Sequence, residues 1–221
     1  MLALSKVLNP TDFDQLTEEL RIVDQHFASA REQHPMRRWE YAMALRAVRY
    51  WMDHGNYAHS AGVADIGGAG SPFSEMLDQT TACSVRVIDP IVNMSLAQYL
   101  QQAPHLACIV TCLSVLEHVE DLDQFLYHLN CLVAPGGLLF LTMDCWDQNG
   151  PDTAHFHWMR KRIFSLDDWR DLAHARHRFE DVGPQHPLDD FSLLGEAEDW
   201  TYHGNQVYDY TFASLALVKR S

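Results

Sequence analysis

The chain is poor in positive charge, in paired cysteines and in long apolar runs. Its 16 Lys and Arg stand against 30 Asp and Glu, a formal net charge of −14. Such a surface repels a phosphate backbone unless the basic residues cluster. The clusters present, Arg37-Arg38 and Arg160-Lys161-Arg162, are short, so a nucleic-acid substrate is disfavoured. The five cysteines (Cys83, Cys108, Cys112, Cys131 and Cys145) are odd in number and show no Cys-x-x-Cys spacing. That argues against both a disulfide framework and a zinc site, and fits a reducing compartment. No apolar run approaches the roughly 20 residues of a membrane helix, and Met1 to Pro10 has no signal-peptide core. The expectation is a cytoplasmic protein with no membrane span. Nothing in the sequence sets an oligomeric state.

What is present is an apolar, patterned chain. With 221 residues and 47% apolar composition, it is long enough for one cored domain. Thr11 is placed to cap a helix whose residues Phe13, Leu16, Leu20, Val23 and Phe27 step by three or four. His34-Pro35 breaks it, and a second helix carries Tyr41, Leu45, Val48 and Met52 on one face, ending near Gly55. These helices form an extension over residues 1–58, placed to cover a ligand mouth ahead of a core over residues 59–221, and Arg38-Trp39-Glu40-Tyr41 is the stretch that would close over the ligand.

The most informative segment is Val63-Ala64-Asp65-Ile66-Gly67-Gly68-Ala69-Gly70-Ser71-Pro72-Phe73, followed by Val85-Arg86-Val87-Ile88-Asp89-Pro90. It reads as a buried strand at 62–66, a glycine-rich turn, a helix opening at Ser71-Pro72, and a second strand ending in an acid. Glycines let the backbone approach a ligand at a strand-to-helix turn, and an acid 19 positions after Gly70 can accept bonds from two ribose hydroxyls. Nicotinamide, flavin and S-adenosylmethionine proteins all share this layout. A dinucleotide fingerprint read from Gly68 lacks its third glycine, because Phe73 stands there.

A later block separates these readings. Ile109-Val110-Thr111-Cys112-Leu113-Ser114-Val115-Leu116-Glu117-His118-Val119-Glu120-Asp121 leads through a helix to Ala134-Pro135-Gly136-Gly137 and an apolar strand. With the glycine turn, in which Ala69 takes the second-glycine place, this resembles the class I S-adenosylmethionine-dependent methyltransferases, in particular the small single-domain, type 11-like members. The resemblance covers roughly residues 60–145. It implies a Rossmann-like, doubly wound, mostly parallel α/β sheet with an antiparallel C-terminal edge pair, behind an N-terminal helical extension. The expected edge strands are Phe179 to Gly183 and Tyr208 to Val218. The resemblance also implies S-adenosylmethionine as cofactor, held by Asp65, Gly67, Gly68, Ala69, Gly70, Phe73, Asp89, Pro90, Ser114 and Glu117.

Only Pro90 to Cys108 separates the second strand from the fourth, too little for a helix, a strand and another helix. Either Leu96 to Gln102 is the sole crossover helix and strand three is lost, or a remnant lies near Val92-Asn93-Met94. No acid occurs from Pro90 to Leu116, which leaves Asn93, Ser95, Gln98 or backbone for an adenine amine.

For the chemistry, His118 has the pKa range of a general base, but with Glu117 it is favoured as a residue that shapes the loop and lines the cofactor. The stretch 144–165 reads as a loop or lid that supplies the acceptor pocket through Asp144, His155, His157 and Arg160, with Arg162 beside them for an anionic group. A divalent metal on Asp144, Asp147, His155 and His157 is the lesser alternative. Ser165 is placed to cap a helix over residues 166–175. The expected activity is methyl transfer to a small molecule or a sugar, lipid or secondary-metabolite intermediate, at oxygen rather than nitrogen. A nicotinamide-dependent oxidoreductase and a non-catalytic cofactor-binding regulator are the other readings.

Overall fold

A computed structural model describes residues 3–9, 11–30, 35–54, 62–81, 84–102, 105–146, 164–174, 188–194, 197–198 and 211–220. In chain order the elements are β1 (Ser5–Val7), α1 (Asp12–Gln15), α2 (Thr17–Ala30), α3 (Pro35–His54), β2 (Gly62–Ile66), α4 (Phe73–Thr81), β3 (Val85–Ile88), α5 (Leu96–Gln101), β4 (Ala107–Leu113), a 3₁₀ turn (Leu116–His118), α6 (Leu122–Leu132), β5 (Val133–Trp146), β6 (Phe164–Ser165), α7 (Leu166–His174), β7 (Phe191–Leu193), β8 (Ala197–Glu198) and β9 (Thr211–Lys219). The sheet runs β3-β2-β4-β5-β9-β1-β8, with β6 on β5 and β7 on β9.

Parallel pairing of β2 with β3 and β4, and of β4 with β5, gives the doubly wound core, and β9 runs antiparallel to β5. Side chains alternate between two apolar layers. Val63, Ile109, Leu138 and Phe140 pack under α2, α3 and α4, whereas Ala64, Val110, Leu139 and Leu141 pack under α5, α6 and α7. Both faces are therefore covered, as a parallel sheet requires. Helix α3 carries Trp39, Ala42, Met43, Ala44, Leu45, Ala47 and Val48, none of them solvent-exposed, so it is a core element.

Several local expectations change. Strand three is lost: a turn at 90–93 leads into α5, the single crossover, and β3 is the sheet edge among the described residues. The N-terminal stretch is not purely helical, because β1 inserts beside β9, pairing Lys6 with Ser214. The first helix is split at Leu16, and Thr11 does not cap it; its hydroxyl donates to Asn9 Oδ1 instead. Pro135-Gly136-Gly137 does not end a helix. Helix α6 stops at Leu132, and Ala134 to Gly137 bulge out of β5, with the Gly136 carbonyl accepting from Trp51 Nε1 of α3 at 3.1 Å. Ser165 does cap α7, accepting from Asp168 N at 3.0 Å. Besides β5 and β1, β9 pairs antiparallel with β7, while Phe179 to Gly183 lies outside the described residues.

The N-terminal strand is held by a buried ion pair. Lys6 Nζ donates to Asp12 Oδ1 at 2.7 Å with both side chains at 1% exposure or less, and Asp12 Oδ2 accepts from Asn9 N and Trp39 Nε1. Removing one partner strands a charge in the interior. We expect Asp12→Ala to cost about 3–5 kcal/mol in urea unfolding. Lys6→Met combined with Asp12→Asn, which removes both charges and keeps an acceptor for Trp39, should cost much less. Equal losses in the two variants would contradict a charge-based anchor.

Candidate active site

The site forms where β2 ends. Gly67 N donates to Ile88 O at 2.9 Å, and the chain then turns with Gly67 at φ 76° and Gly70 at φ 72°. A side chain at Gly67 is blocked twice, by this left-handed backbone and by Val115 Cγ2, which lies 2.3 Å from where a Cβ would sit. Beneath the turn, Asp65 is buried. Its Oδ1 accepts from Thr111 Oγ1 at 2.8 Å and its Oδ2 from Ser74 Oγ at 2.6 Å. Burial pushes its pKa up to about 6 against the pull of those two hydroxyls, with nearby Asp89 adding to the rise. Asp65 thus braces β2, β4 and α4 from within the turn.

Asp89 closes the other side. Its Oδ2 accepts from Ala69 N at 3.1 Å and its Oδ1 from Ile91 N at 2.7 Å, so the acid at the end of β3 orders both the glycine turn and the turn that follows it. The polar side chains considered for an adenine amine are engaged locally. Asn93 Oδ1 accepts from Asp89 N and Met94 N, while Ser95 and Gln98 form the reciprocal capping box of α5. What the turn offers instead is Ile91, 86% exposed on the wall of the cavity. An apolar residue directly after Asp89-Pro90 was the available sequence signal for it.

These elements surround one cavity of about 410 Å³, within the range of small-molecule sites. Asp65, Gly67, Gly68, Ala69, Asp89, Pro90, Ser114 and His118 line it, joined by Arg37, Tyr41, Ser71, Ile91 and Val115. Gly70 belongs to the same turn. Phe73 is buried behind it and stacks on Tyr41 with ring centroids 5.1 Å apart, while the Tyr41 hydroxyl is 3.0 Å from Ser71 Oγ. Trp39 is core, whereas Tyr41 is both core and cavity wall. His118 is exposed on the cavity side.

Behind the wall at the carboxyl ends of β4 and β5 lie three buried acids, Glu40, Glu117 and Asp144. Glu40 reaches across from α3. Its Oε1 accepts from Ser114 Oγ at 2.6 Å and from Thr142 Oγ1, and its Oε2 accepts from Arg37 Nη1 at 3.0 Å. Burial raises the Glu40 pKa, opposed by Arg37 and the two hydroxyls. Glu117 Oε1 accepts from Asp144 N, and Oε2 has no partner among the described residues. Burial, then the charge of Asp144, pushes its pKa up to about 8. Arg37 stays charged: burial opposes its charge, but Glu40, Tyr41, Asp144 and Glu117 outweigh that and raise its pKa. His155, His157 and Arg160, with Asp147 and Arg162, lie outside the described residues. Among the described residues no three His, Cys, Asp or Glu side chains are grouped to hold a metal ion, and no helix is long and apolar enough to cross a membrane.

Comparison with known proteins agrees with this geometry. Residues 58–183, more than half of the chain, match the family described as the methyltransferase domain. No curated protein matches. Among solved structures, the plantazolicin methyltransferase BpumL, in complex with a desmethyl plantazolicin analogue and S-adenosylhomocysteine, aligns with a TM-score of 0.53 at 9% identity, covering 96% of this chain and 100% of that one. The N-methyltransferase NodS from Bradyrhizobium japonicum WM9, in complex with S-adenosylhomocysteine, gives 0.51 at 14% identity, with coverages of 95% and 98%. At these identities both are likenesses of fold. The family match, the glycine turn and the sheet order together identify the chain as a member of the class I S-adenosylmethionine-dependent methyltransferases.

Proposed function

We propose that this chain binds S-adenosylmethionine in the 410 Å³ cavity and transfers its methyl group to a small-molecule acceptor, a sugar, lipid or secondary-metabolite intermediate, at oxygen. The observation that carries this reading is the convergence of the glycine turn and Asp89 on one cavity. The residues present fit the cofactor. Gly67, Gly68 and Ala69 bring the turn to the cavity wall, and Asp89, though it already accepts two backbone bonds, retains lone pairs for ribose hydroxyls. Ile91 offers an apolar surface to a flat base, and Arg37 offers a guanidinium to the methionine carboxylate. The bound cofactor supplies an already activated methyl group on a sulfonium.

The chain's own work is then to bind, to aim the nucleophile and to exclude water. With its pKa near 8, Glu117 is protonated at neutral pH, so it holds the Asp144 backbone rather than taking a proton from the acceptor. His118 is the exposed imidazole at the cavity, read here as a residue that positions rather than deprotonates. Asp144, His155, His157 and Arg160 are assigned to the acceptor. Extensions 1–58 and core 59–221 act as one unit, with α3 supplying Arg37 and Tyr41 to the cavity.

Three outcomes follow from this reading. Asp89→Ala should weaken S-adenosylhomocysteine binding by about ten- to hundredfold in calorimetry, because charged acceptors of buried donors are worth about 1.5–3 kcal/mol; unchanged affinity in a folded variant would sink the cofactor assignment. His118→Ala should cost about tenfold or less in turnover, where a true general base costs about 10²–10⁴. A larger loss, together with an ascending pH limb that vanishes in the variant, would make His118 the base. Because the folded-state pKa of Glu117 lies above its unfolded value, its contribution to stability is complete at low pH and is lost as pH rises toward about 8. Glu117→Gln should therefore gain stability relative to the native chain between pH 6 and 8 in parallel urea titrations, and a flat difference across that window would contradict the burial of an uncompensated acid.

A further inference from the structure

Ser114 is the one described residue other than glycine with a positive φ, at 48°. A serine held there is strained, and strain of this kind persists only where the surroundings over-determine it. The surroundings are visible. Ser114 N donates to Thr142 Oγ1 at 3.0 Å and to Thr142 O, and Ser114 Oγ donates to Glu40 Oε1 at 2.6 Å. Thr142 Oγ1 donates to the same carboxylate oxygen, so one buried acid from α3 ties the last residue of the β4 exit to β5.

The consequence reaches the cofactor turn. The residue after Ser114 is Val115, whose methyl group occupies the space beside Gly67 and lines the cavity, and the 3₁₀ turn carrying Glu117 and His118 follows at once. The second oxygen of Glu40 holds Arg37 at the same cavity. A contiguous set of contacts therefore runs from Glu40 through Ser114 and Val115 to Gly67.

Building on the cofactor reading above, we propose that Glu40 is a positioning residue for the cofactor pocket: from the N-terminal helix α3 it holds Ser114 in the left-handed conformation that seats Val115 against the glycine turn. The extension is thereby part of the binding site's construction and not a cover laid over a finished site.

The test is a double-mutant cycle on the full chain, with S-adenosylhomocysteine as titrant in calorimetry and thermal melts followed by circular dichroism. Glu40→Ala should weaken binding by about tenfold or more while the domain remains folded. Glycine takes the left-handed conformation without strain, so the same substitution made in a Ser114→Gly background should cost about threefold or less relative to Ser114→Gly alone. Native-like affinity in Glu40→Ala, or an equal loss in both backgrounds, would overturn the proposal. If Glu40→Ala does not fold, Ser114→Ala carries the test, since alanine keeps the strain and loses the anchor: a tenfold loss is expected, and native affinity would overturn the proposal. Glu40→Gln, which keeps an oxygen for both hydroxyls, should bind within about threefold of the native chain. Failure of the native chain itself to bind S-adenosylhomocysteine would remove the cofactor reading, an outcome distinct from native binding that the Glu40 variants leave unaltered.

Discussion

A carboxylate buried at the end of β2 organises this molecule. Asp65 sits where β2, flanked on both sides by parallel partners, must leave the sheet. An acid in that position has to be hydrogen-bonded. Its two donors, Thr111 from β4 and Ser74 from α4, come from the strand beside it and the helix after it, so satisfying one charge fixes three elements relative to each other. The turn above is then narrow. A Cβ at Gly68 would lie 2.2 Å from Asp65 Oδ2, and Asp89 completes the clamp through Ala69 N. The cavity is the space this arrangement leaves open at the carboxyl ends of the strands, the place where open α/β sheets bind ligands.

The second organising feature is an excess of buried acid behind the wall. Among the described residues Glu40, Glu117 and Asp144 face one guanidinium, Arg37, which is fixed to Glu40 at 3.0 Å. That imbalance is resolved by protonation as well as by pairing: burial and the charge of Asp144 carry Glu117 to a pKa of about 8. It also links the N-terminal helix to the chemistry. Arg37 and Tyr41 line the cavity from the same helix whose Trp39 is anchored on Asp12 and whose Trp51 holds the bulge at Gly136.

Much of this was legible in the sequence, for identifiable reasons. Glycine-turn residues and the acid 19 positions on are local in sequence, and a strand-turn-helix unit brings them together with little help from the rest of the chain. Counting residues between Asp89 and Ile109 left either a lost strand three or a remnant near Val92-Asn93-Met94, and the structure has the first. What escaped the reading depends on long-range contact. The anchoring of Ser114 by Glu40 spans 74 positions, and Thr142 is 102 positions from the same acid. Strand β1 is three residues long and defined by its pairing with β9, more than 200 positions away, so it has no periodic signature. The local roles of Asn93, Ser95 and Gln98 were not legible either, because such residues suit a turn and a helix cap as well as a ligand, and in the structure they build both.

The central claim, that the cavity between the glycine turn and Asp89 is an S-adenosylmethionine site, is tested most directly by titrating the native chain calorimetrically with S-adenosylmethionine, S-adenosylhomocysteine and NADH in parallel. Saturable binding of the first two at one site per chain, with no heat from NADH, is the expected result. Binding of NADH alone, or of none of the three to a folded chain, would contradict it.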